Sequence, residues 1–441
     1  MALGCFAMSA CNKYLDVTPK GFTILSTVNN YDQWLNDANQ LGASAVEELN
    51  LLADNVDNVN IPVPSTAQSD LVYTWAAQFN TDLKAAPAFW GPHYANINKF
   101  NTVLLGIDAA EGGTVEMKNS LKAEALLGRA FEYLYLVNLY GKPYDAATAD
   151  KDLGVPFVTS NDVAQKVPPR STVKEIYDHI IADINTALPN LPKDNSQNRM
   201  RGAVAAAYSV LARVYLYMRN YPEAAKNAQL ALQMNGLAMI DFRTAIPNTV
   251  SSLSTRPDAI YARRLLGNEM ADSAFLKTFD AGDLRLQLLY SSSDNFNRRG
   301  NTTFFPLVKT FAFMNTNTGT SLPEMKLIIA EAAARNDDLP TALTQLNDIR
   351  IMRFTAAAYQ PLESDDKDQV LAWVLRERNC ELPYSGLRWF DMRRLDKEGS
   401  MPVVNRYDAR HNIIATLPHA AAYTLQIPVQ VLYFNPDMQQ N

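Results

Sequence analysis

The chain has 441 residues, of which 47% are hydrophobic and 20% are charged. This balance is typical of a globular protein, and the length allows a large core in one domain or in two to three packed units. The formal net charge of −6 gives no sign of the excess of basic residues that is typical of nucleic-acid-binding proteins. No apolar run reaches the length of a membrane-spanning helix.

The first eleven residues, MALGCFAMSAC, form a short apolar run that ends with small residues before Cys11. This pattern resembles a lipoprotein signal, in which the peptide is removed before a cysteine whose thiol then carries lipid. It predicts a signal peptide at residues 1–10, lipidation of Cys11 and a polar tether at residues 11–21. The alternative is an apolar N-terminus that is buried in the fold.

Helical spacing of apolar residues predicts that most of the remaining chain is α-helical. The longest predicted helix, Leu121–Tyr140, has apolar residues on more than one face, which indicates that it packs against neighbours on both sides. Trp34 and Trp90 fall in register with apolar neighbours in two earlier helices, so both are predicted to face the core. A further helix is predicted at residues 171–188.

Residues 202–235 match the pattern of a tetratricopeptide repeat, in which two antiparallel helices approach closely at small side chains. Residues 322–350 repeat this arrangement, and weaker helix pairs cover residues 88–140 and 171–219. The small residues of the two clearer repeats include Ala212, Ala224, Ala231, Ala330 and Ala342. The prediction is an all-α fold, a curved stack of tetratricopeptide-like helix pairs with irregular loop insertions.

Two segments lack this helical spacing. Residues 236–319 carry serine, asparagine, arginine and scattered aromatic side chains, which is typical of a ligand-binding insertion on a repeat scaffold. Asp54–Asn58, DNVDN, has side chains that suit calcium but lacks the glycine and the distal glutamate of a calcium loop. No metal site is therefore predicted.

The stretch Arg376–Arg394, RERNCELPYSGLRWFDMRR, has a density of charge that suggests an active site. However, each carboxylate has an arginine close to it in sequence, Glu381 with Arg378 and Asp391 with Arg394. Guanidinium partners lower the pKa of a carboxyl group, whereas a catalytic acid needs a raised pKa. The stretch is therefore predicted to be a charge-paired structural corner between two helices.

Five stretches taken in chain order carry a family resemblance. They are Cys11–Pro19 (CNKYLDVTP), Ala123–Tyr144 (AEALLGRAFEYLYLVNLYGKPY), the helices within 171–232, Ile329–Arg353 with the charged corner, and Leu425–Asn441 with its Ile-Pro and Asn-Pro turns. Together they resemble the SusD/RagB family, the surface lipoproteins of Bacteroidetes nutrient-uptake systems. The resemblance spans nearly the whole chain.

The resemblance implies an N-terminal region of tetratricopeptide-like pairs at 22–235 and a C-terminal region at 236–441, which includes the ligand-binding insertion 236–319. It also implies lipid anchoring on the outer leaflet of the outer membrane, facing the cell exterior, as a lid over a SusC-like TonB-dependent transporter. Such proteins bind oligosaccharides, or in some members peptides, and pass them to the barrel without cutting them. No cofactor, metal or nucleic acid is expected.

Elimination then points to one of the five tryptophans. Four occupy core-facing helical positions, namely Trp34, Trp90, Trp373 and Trp389. Trp75 instead lies beside aromatic residues in a segment without helical spacing. Flat rings stack on the C–H faces of sugars, and Asn and Arg side chains bind hydroxyl groups. The predicted ligand-binding residues are Tyr73, Trp75 and Asn80, with Phe296 and Arg298 from the insertion. The alternative is that Trp75 only fastens its loop to the core.

Two other functions stay open at this point. A periplasmic helical-repeat scaffold for protein partners accounts for the repeats, but it explains neither the aromatic insertion nor Cys11. A helical glycoside hydrolase has less support, because the four histidines lack the spacing of metal ligands and no nucleophile-elbow motif is present. The leading prediction is a non-catalytic binding lipoprotein.

Overall fold

The structure is a computed structural model, and it describes residues 25–37, 48–58, 61–62, 64–234, 236–245, 252–265, 269–291, 310–311, 316–408 and 410–441. The α-helices within these ranges are α1 Val28–Leu35, α2 Gln68–Tyr73, α3 Trp90–Gly106, α4 Val115–Tyr140, α5 Val173–Ala187, α6 Val204–Tyr217, α7 Tyr221–Ala231, α8 Ser273–Leu276, α9 Leu284–Leu288, α10 Leu322–Arg335, α11 Leu339–Arg350, α12 Lys367–Glu381, α13 Arg388–Lys397 and α14 Val429–Phe434.

The long helices form a stack in which successive helices are neighbours. The contacts run from α3 to α4 and α5, then through α6 and α7 to α10, which also contacts α11 and α12. The predicted all-α stack of helix pairs is therefore confirmed, and the two clearer repeats correspond to the pairs α6–α7 and α10–α11.

Small residues allow the helices to approach closely. A Cβ atom added at Gly128 of α4 would lie 2.2 Å from the ring of Phe100 in α3, so only glycine fits at this crossing. Ala224 and Ala231 of α7 and Ala342 of α11 are fully buried, as the repeat pattern predicts. Burial of these faces removes apolar surface from water, which is the main stabilising contribution in a helical stack.

Helix α5 begins within two residues of its predicted start. The Thr172 side chain accepts a hydrogen bond from the backbone N–H of Glu175, and the Glu175 carboxylate accepts one from the backbone N–H of Thr172. This capping box satisfies two backbone donors that have no partner inside the helix. The helix begins at Val173, two residues after the predicted start, and ends at Ala187, one residue before the predicted end.

The strands are short and lie outside the stack. They are β1 Leu153–Pro156 with β2 Arg170–Thr172, β3 Ala259–Tyr261 with β9 Thr320–Ser321, β4 Arg264–Leu265 with β8 Thr316–Asn317, β5 Glu269–Met270 and β6 Tyr290–Ser291 on either side of β7 Thr310–Phe311, and β10 Val404–Tyr407 with β11 Ile413–Leu417. All of these pairings are antiparallel. Six of the eleven described strands, β3 to β8, fall in the predicted insertion. The described residues of this insertion contain only α8 and α9 as α-helices.

The largest hydrophobic cluster contains residues from Leu49 to Val431, so it joins distant parts of the chain. A buried ion pair also connects α6 to α10, because Arg213 contacts the carboxylate of Glu324 at 2.7 Å and neither side chain reaches solvent. Removing one member of such a pair leaves an uncompensated buried charge. Among the described residues, no helix combines the length and apolar character that crossing a bilayer requires.

Candidate functional site

The charged corner consists of α12 and α13, and it is held by buried ion pairs. Arg378 contacts Asp391 at 2.8 Å, and Arg394 contacts Asp391 at 2.9 Å and Glu331 of α10 at 2.5 Å. Burial raises the pKa of Asp391, but the charges of Arg378 and Arg394 outweigh burial and the net pKa is lowered. Asp391 is therefore held ionised, which suits an ion pair and does not suit a general acid.

One predicted pair in this corner is wrong. Glu381 was expected to pair with Arg378, its neighbour in α12, but it contacts Arg353 at 2.5 Å and Arg285 at 2.9 Å. Both arginines come from other parts of the chain, and the packing of those segments against α12 brings them closer than the helical neighbour. Trp389 lies in the same corner and is buried in the core, as predicted.

Tyr73 is the last residue of α2 and is only 1% exposed. Its hydroxyl group donates a hydrogen bond to Asp57 at 3.0 Å, and the guanidinium of Arg406 lies 4.1 Å from the centre of its ring. The buried ring offers no surface to a ligand. The structure therefore corrects the prediction that Tyr73 contacts a ligand. Tyr73 instead supports the loop that follows α2 from beneath.

Trp75 follows α2 in a left-handed backbone conformation with φ of 54° and is half-buried. Its indole N–H donates to the carbonyl of Leu52 at 2.9 Å, and Arg406 lies 4.4 Å from its ring centre. The same guanidinium also binds four backbone carbonyls of the surrounding loops. The orientation of Trp75 is thus fixed by Arg406 and Leu52, and part of the ring reaches solvent.

Asn80 connects this loop to the C-terminal helix. Its side-chain oxygen accepts a hydrogen bond from the backbone N–H of Asp82, and its carbonyl accepts one from the buried amide of Gln430 in α14. Gln78 reinforces the connection, because its side chain accepts from the N–H of Val429 and donates to the carbonyl of Ile427. Trp75 and Asn80 therefore belong to one loop that also positions α14.

A large groove opens beside that loop. It has a volume of about 1510 Å³ and lies between α1, the segment 83–87, α3, the loop that joins β1 to β2, and α14. This exceeds the roughly 300–1,000 Å³ of a typical small-molecule pocket, so the groove accommodates an extended ligand.

Aromatic side chains line the groove and are held in fixed orientations. Trp34 donates its indole N–H to the carbonyl of Lys99 at 3.2 Å, and Tyr94 donates its hydroxyl to the carbonyl of Pro156 at 2.7 Å. The ring of Phe157 stacks on His179 at 3.9 Å with an angle of 7° between the planes. Because the N–H of Trp34 and the O–H of Tyr94 already donate to backbone carbonyls, neither hydrogen is left to donate to a ligand, and the ring surfaces are the candidate contacts.

Phe434 forms the C-terminal wall of the groove and is 71% exposed. Its neighbour Tyr433 is 63% exposed but does not line the groove. Exposed aromatic residues are costly to keep in water, and a pair of them on one short helix is typical of a contact surface. The last residues of α14 are therefore candidate ligand contacts.

Sequence reasoning missed this groove. Trp90 is buried as predicted, whereas Trp34 is half-buried, packs against a core cluster and also lines the groove. The ligand-binding residues predicted from the sequence include neither Phe157 nor Phe434. The adjacent aromatic residues Tyr433 and Phe434, next to the Asn-Pro turn, were a signal that could have identified α14.

Three predicted residues, Cys11, Phe296 and Arg298, lie outside the described residues, as do the predicted signal peptide and tether. Asp54 and Asp57, from the segment compared with a calcium loop, engage Arg388 and Tyr73 respectively. Within the described ranges, no group of three or more His, Cys, Asp or Glu side chains is placed to hold a metal ion.

Comparison with known proteins gives matches along most of the chain. Residues 13–216 match the SusD-like family described as starch-binding and associating with the outer membrane, and residues 280–441 match the SusD family. The SusD-like protein P2 of Formosa agariphila is 32% identical over 157 residues, which are 35% of this chain and 28% of that relative. The match thus spans less than a third of the relative's length.

The fold is similar to solved structures over nearly all of the chain. A SusD superfamily protein from Bacteroides thetaiotaomicron has a TM-score of 0.76 and 22% identity, with 94% of this chain and 99% of that chain covered. A SusD-like carbohydrate-binding protein from Bacteroides vulgatus has a TM-score of 0.70 and 19% identity, with coverage of 94% and 97%. At these identities the likeness shows the fold.

Proposed function

Because this chain belongs to the SusD/RagB family, we propose that it binds oligosaccharides at its surface without cleaving them. The observation that carries the proposal is the groove of about 1510 Å³ with fixed aromatic walls. Sugar rings present flat C–H faces that pack on aromatic rings, and a rigid ring loses little conformational entropy on binding. Peptides are the second ligand class that the family resemblance allows.

The loop from Trp75 to Asn80, which the sequence predicts to bind the ligand, belongs to the same proposal. The loop that carries Trp75 and Asn80 contacts Gln430, which lines the groove, and so helps to position the C-terminal wall of the groove. We propose that Trp75 and Asn80 contribute to ligand binding together with Phe296 and Arg298 of the insertion. Tyr73 then acts from beneath, by holding Arg406 and Asp57 in place.

A binding role without catalysis is supported by the state of the acidic residues. The carboxylates of Asp391 and Glu331 are paired with arginine, and their pKa values are lowered by these partners against the effect of burial. A glycosidase needs two carboxyl groups that face the substrate, one of them with a raised pKa. The three carboxylates of the charged corner are instead buried and paired with arginine.

We propose that the protein is anchored through lipid on Cys11 to the outer membrane, faces the exterior and passes its ligand to a SusC-like TonB-dependent transporter. Support comes from the family model, whose description includes association with the outer membrane. The cysteine that follows the apolar N-terminal run supports the anchoring step.

The experiment that tests binding compares two neighbouring residues of α14. An oligosaccharide array identifies a binding sugar, and calorimetry then measures its affinity for the native chain and for the Phe434→Ala and Tyr433→Ala variants. Phe434→Ala should weaken binding roughly 2- to 10-fold, which corresponds to the loss of one aromatic contact of about 0.5–1.5 kcal/mol. Tyr433→Ala should weaken binding less, because the ring of Tyr433 packs edge-on against Phe434 at 5.1 Å but does not itself line the groove.

Two results would contradict the proposal. If the two variants bind with equal affinity, the groove is not the binding site. If the sugar is shortened after incubation with the purified protein, the protein is catalytic. Both substituted residues are largely exposed, so neither variant should lose its fold, and thermal melting checks this.

A further inference from the structure

The groove carries an excess of positive charge. Among the described residues, three lysines line it, Lys84, Lys99 and Lys166, with a single carboxylate, Asp162. Asp162 already accepts a hydrogen bond from the backbone N–H of Ala164. The walls of this groove are therefore cationic although the chain as a whole has a net charge of −6.

Lys99 is the most confined of these cations. It lies on α3, is half-buried, and its ammonium donates a hydrogen bond to the amide oxygen of Asn96 at 3.2 Å. Asn96 in turn donates to Glu132, whose other oxygen is bound to His93 at 2.6 Å. Among the described residues Lys99 therefore forms no ion pair, and the side chain that accepts its hydrogen bond is a neutral amide.

Desolvation makes this arrangement unfavourable for the unliganded protein. Burial lowers the pKa of Lys99, and the more distant carboxylates of Glu132 and Asp37 offset only part of that effect. An anion bound in the groove would restore the electrostatic stabilisation that Lys99 has lost. Charge-assisted hydrogen bonds of this kind are roughly twice as strong as those between neutral groups.

The other two lysines flank this position, and nearby carboxylates compensate little of their positive charge. Lys84 is exposed on the segment before α3 and forms no ion pair among the described residues. Lys166 lies 3.6 Å from Asp437, but both side chains are almost fully exposed, at 87% and 88%. Such a surface pair is weak and is readily exchanged for another anion.

We infer that the groove selects oligosaccharides whose sugars carry negative charge, either the carboxylates of uronic acids or sulfate esters. This inference rests on the proposed function, because the aromatic walls hold the sugar rings while Lys99 and Lys84 bind the acidic groups. A point charge on a flexible stem suits acidic groups whose spacing along the sugar chain varies.

The test uses one sugar in two charge states. Calorimetry compares tetragalacturonate with its fully methyl-esterified form, which keeps the rings but removes the carboxylate charge. The acidic form should bind at least about tenfold more tightly, and this preference should shrink as salt is raised, because salt screens exposed charges. A chondroitin sulfate tetrasaccharide as a third probe shows whether sulfate or carboxylate is preferred.

Matched lysine variants assign the effect to the groove. Lys99→Gln should remove most of the preference for the acidic form and leave the affinity for the ester unchanged. Lys226→Gln is the control, since Lys226 lies on α7 outside the groove and, within the described part of the chain, forms its ion pair with Glu223. Thermal melting establishes that both variants are folded.

Three outcomes would overturn the inference: equal binding of acid and ester, an equal loss in both lysine variants, or competition by a hexaglutamate peptide as effective as that by tetragalacturonate. Failure here is distinguishable from failure of the proposed function. If neutral oligosaccharides bind and Phe434→Ala weakens them, only the charge preference is wrong, whereas if no saccharide binds, the proposed function fails as well.

Discussion

At the scale of single residues, the structure separates aromatic side chains that the sequence groups together. Tyr73 and Trp75 are two residues apart, yet Tyr73 is fully buried and Trp75 reaches solvent. Arg406 contacts both rings and orients them. The C-terminal half of the chain thus supplies the residue that sets the geometry of an N-terminal loop.

The residue-scale prediction concerns Trp75. Trp75→Ala should reduce the affinity for a binding oligosaccharide by about tenfold, which corresponds to roughly 1.4 kcal/mol, because it removes the exposed part of the ring and releases the loop from Leu52. Calorimetry of the folded variant measures this. Trp373→Ala is the control, since Trp373 is also half-buried but packs against a different cluster. Unchanged affinity in Trp75→Ala would mean that this residue only fastens its loop.

At the scale of elements, the charged corner is the clearest structural unit. Helices α12 and α13 meet where α10 presents Glu331, and arginines of the corner bind this carboxylate and Asp391. Most arginines of the corner pair with carboxylates, which avoids the large cost of an isolated buried ion, whereas the buried Arg393 donates to the carbonyl of Gly141. This arrangement fixes the C-terminal helices against the stack.

The element-scale prediction tests that role. Arg394→Met should lower the free energy of unfolding by about 3–5 kcal/mol, because it removes one partner from each of two buried carboxylates. Arg376→Met should cost less than about 1 kcal/mol, since Arg376 pairs with Asp280 at the surface and both are partly exposed. Chemical denaturation measures both values. Equal losses would show that the buried pairs are not what stabilises the corner.

At the scale of the whole molecule, the groove and the proposed lipid anchor lie in different parts of the chain. The helical stack brings α14 and the neighbouring loops together at one groove. The proposed anchor at Cys11 precedes the described residues and is linked to them by the predicted tether. Attachment and ligand binding are therefore assigned to different parts of the chain.

The whole-molecule prediction follows from that division. Cys11→Ala should abolish palmitate labelling and release the protein from the outer-membrane fraction, because the thiol that would carry the lipid is lost. Oligosaccharide binding by the purified variant should stay unchanged. Membrane fractionation and radiolabelling of cells provide the measurement, and a Cys11→Ala protein that still fractionates with the outer membrane would contradict lipid anchoring.

The sequence by itself determined the helices, their order and the family. Periodic apolar residues, caps such as Thr172 and small residues such as Ala224 act within one element or between adjacent ones, so their effects are visible along the chain. Only the tertiary structure decided the partners of Glu381, the burial of Tyr73 and the groove. The groove joins segments near residues 31, 84, 99, 160 and 434, and their distances depend on how the stack packs, which local spacing does not encode.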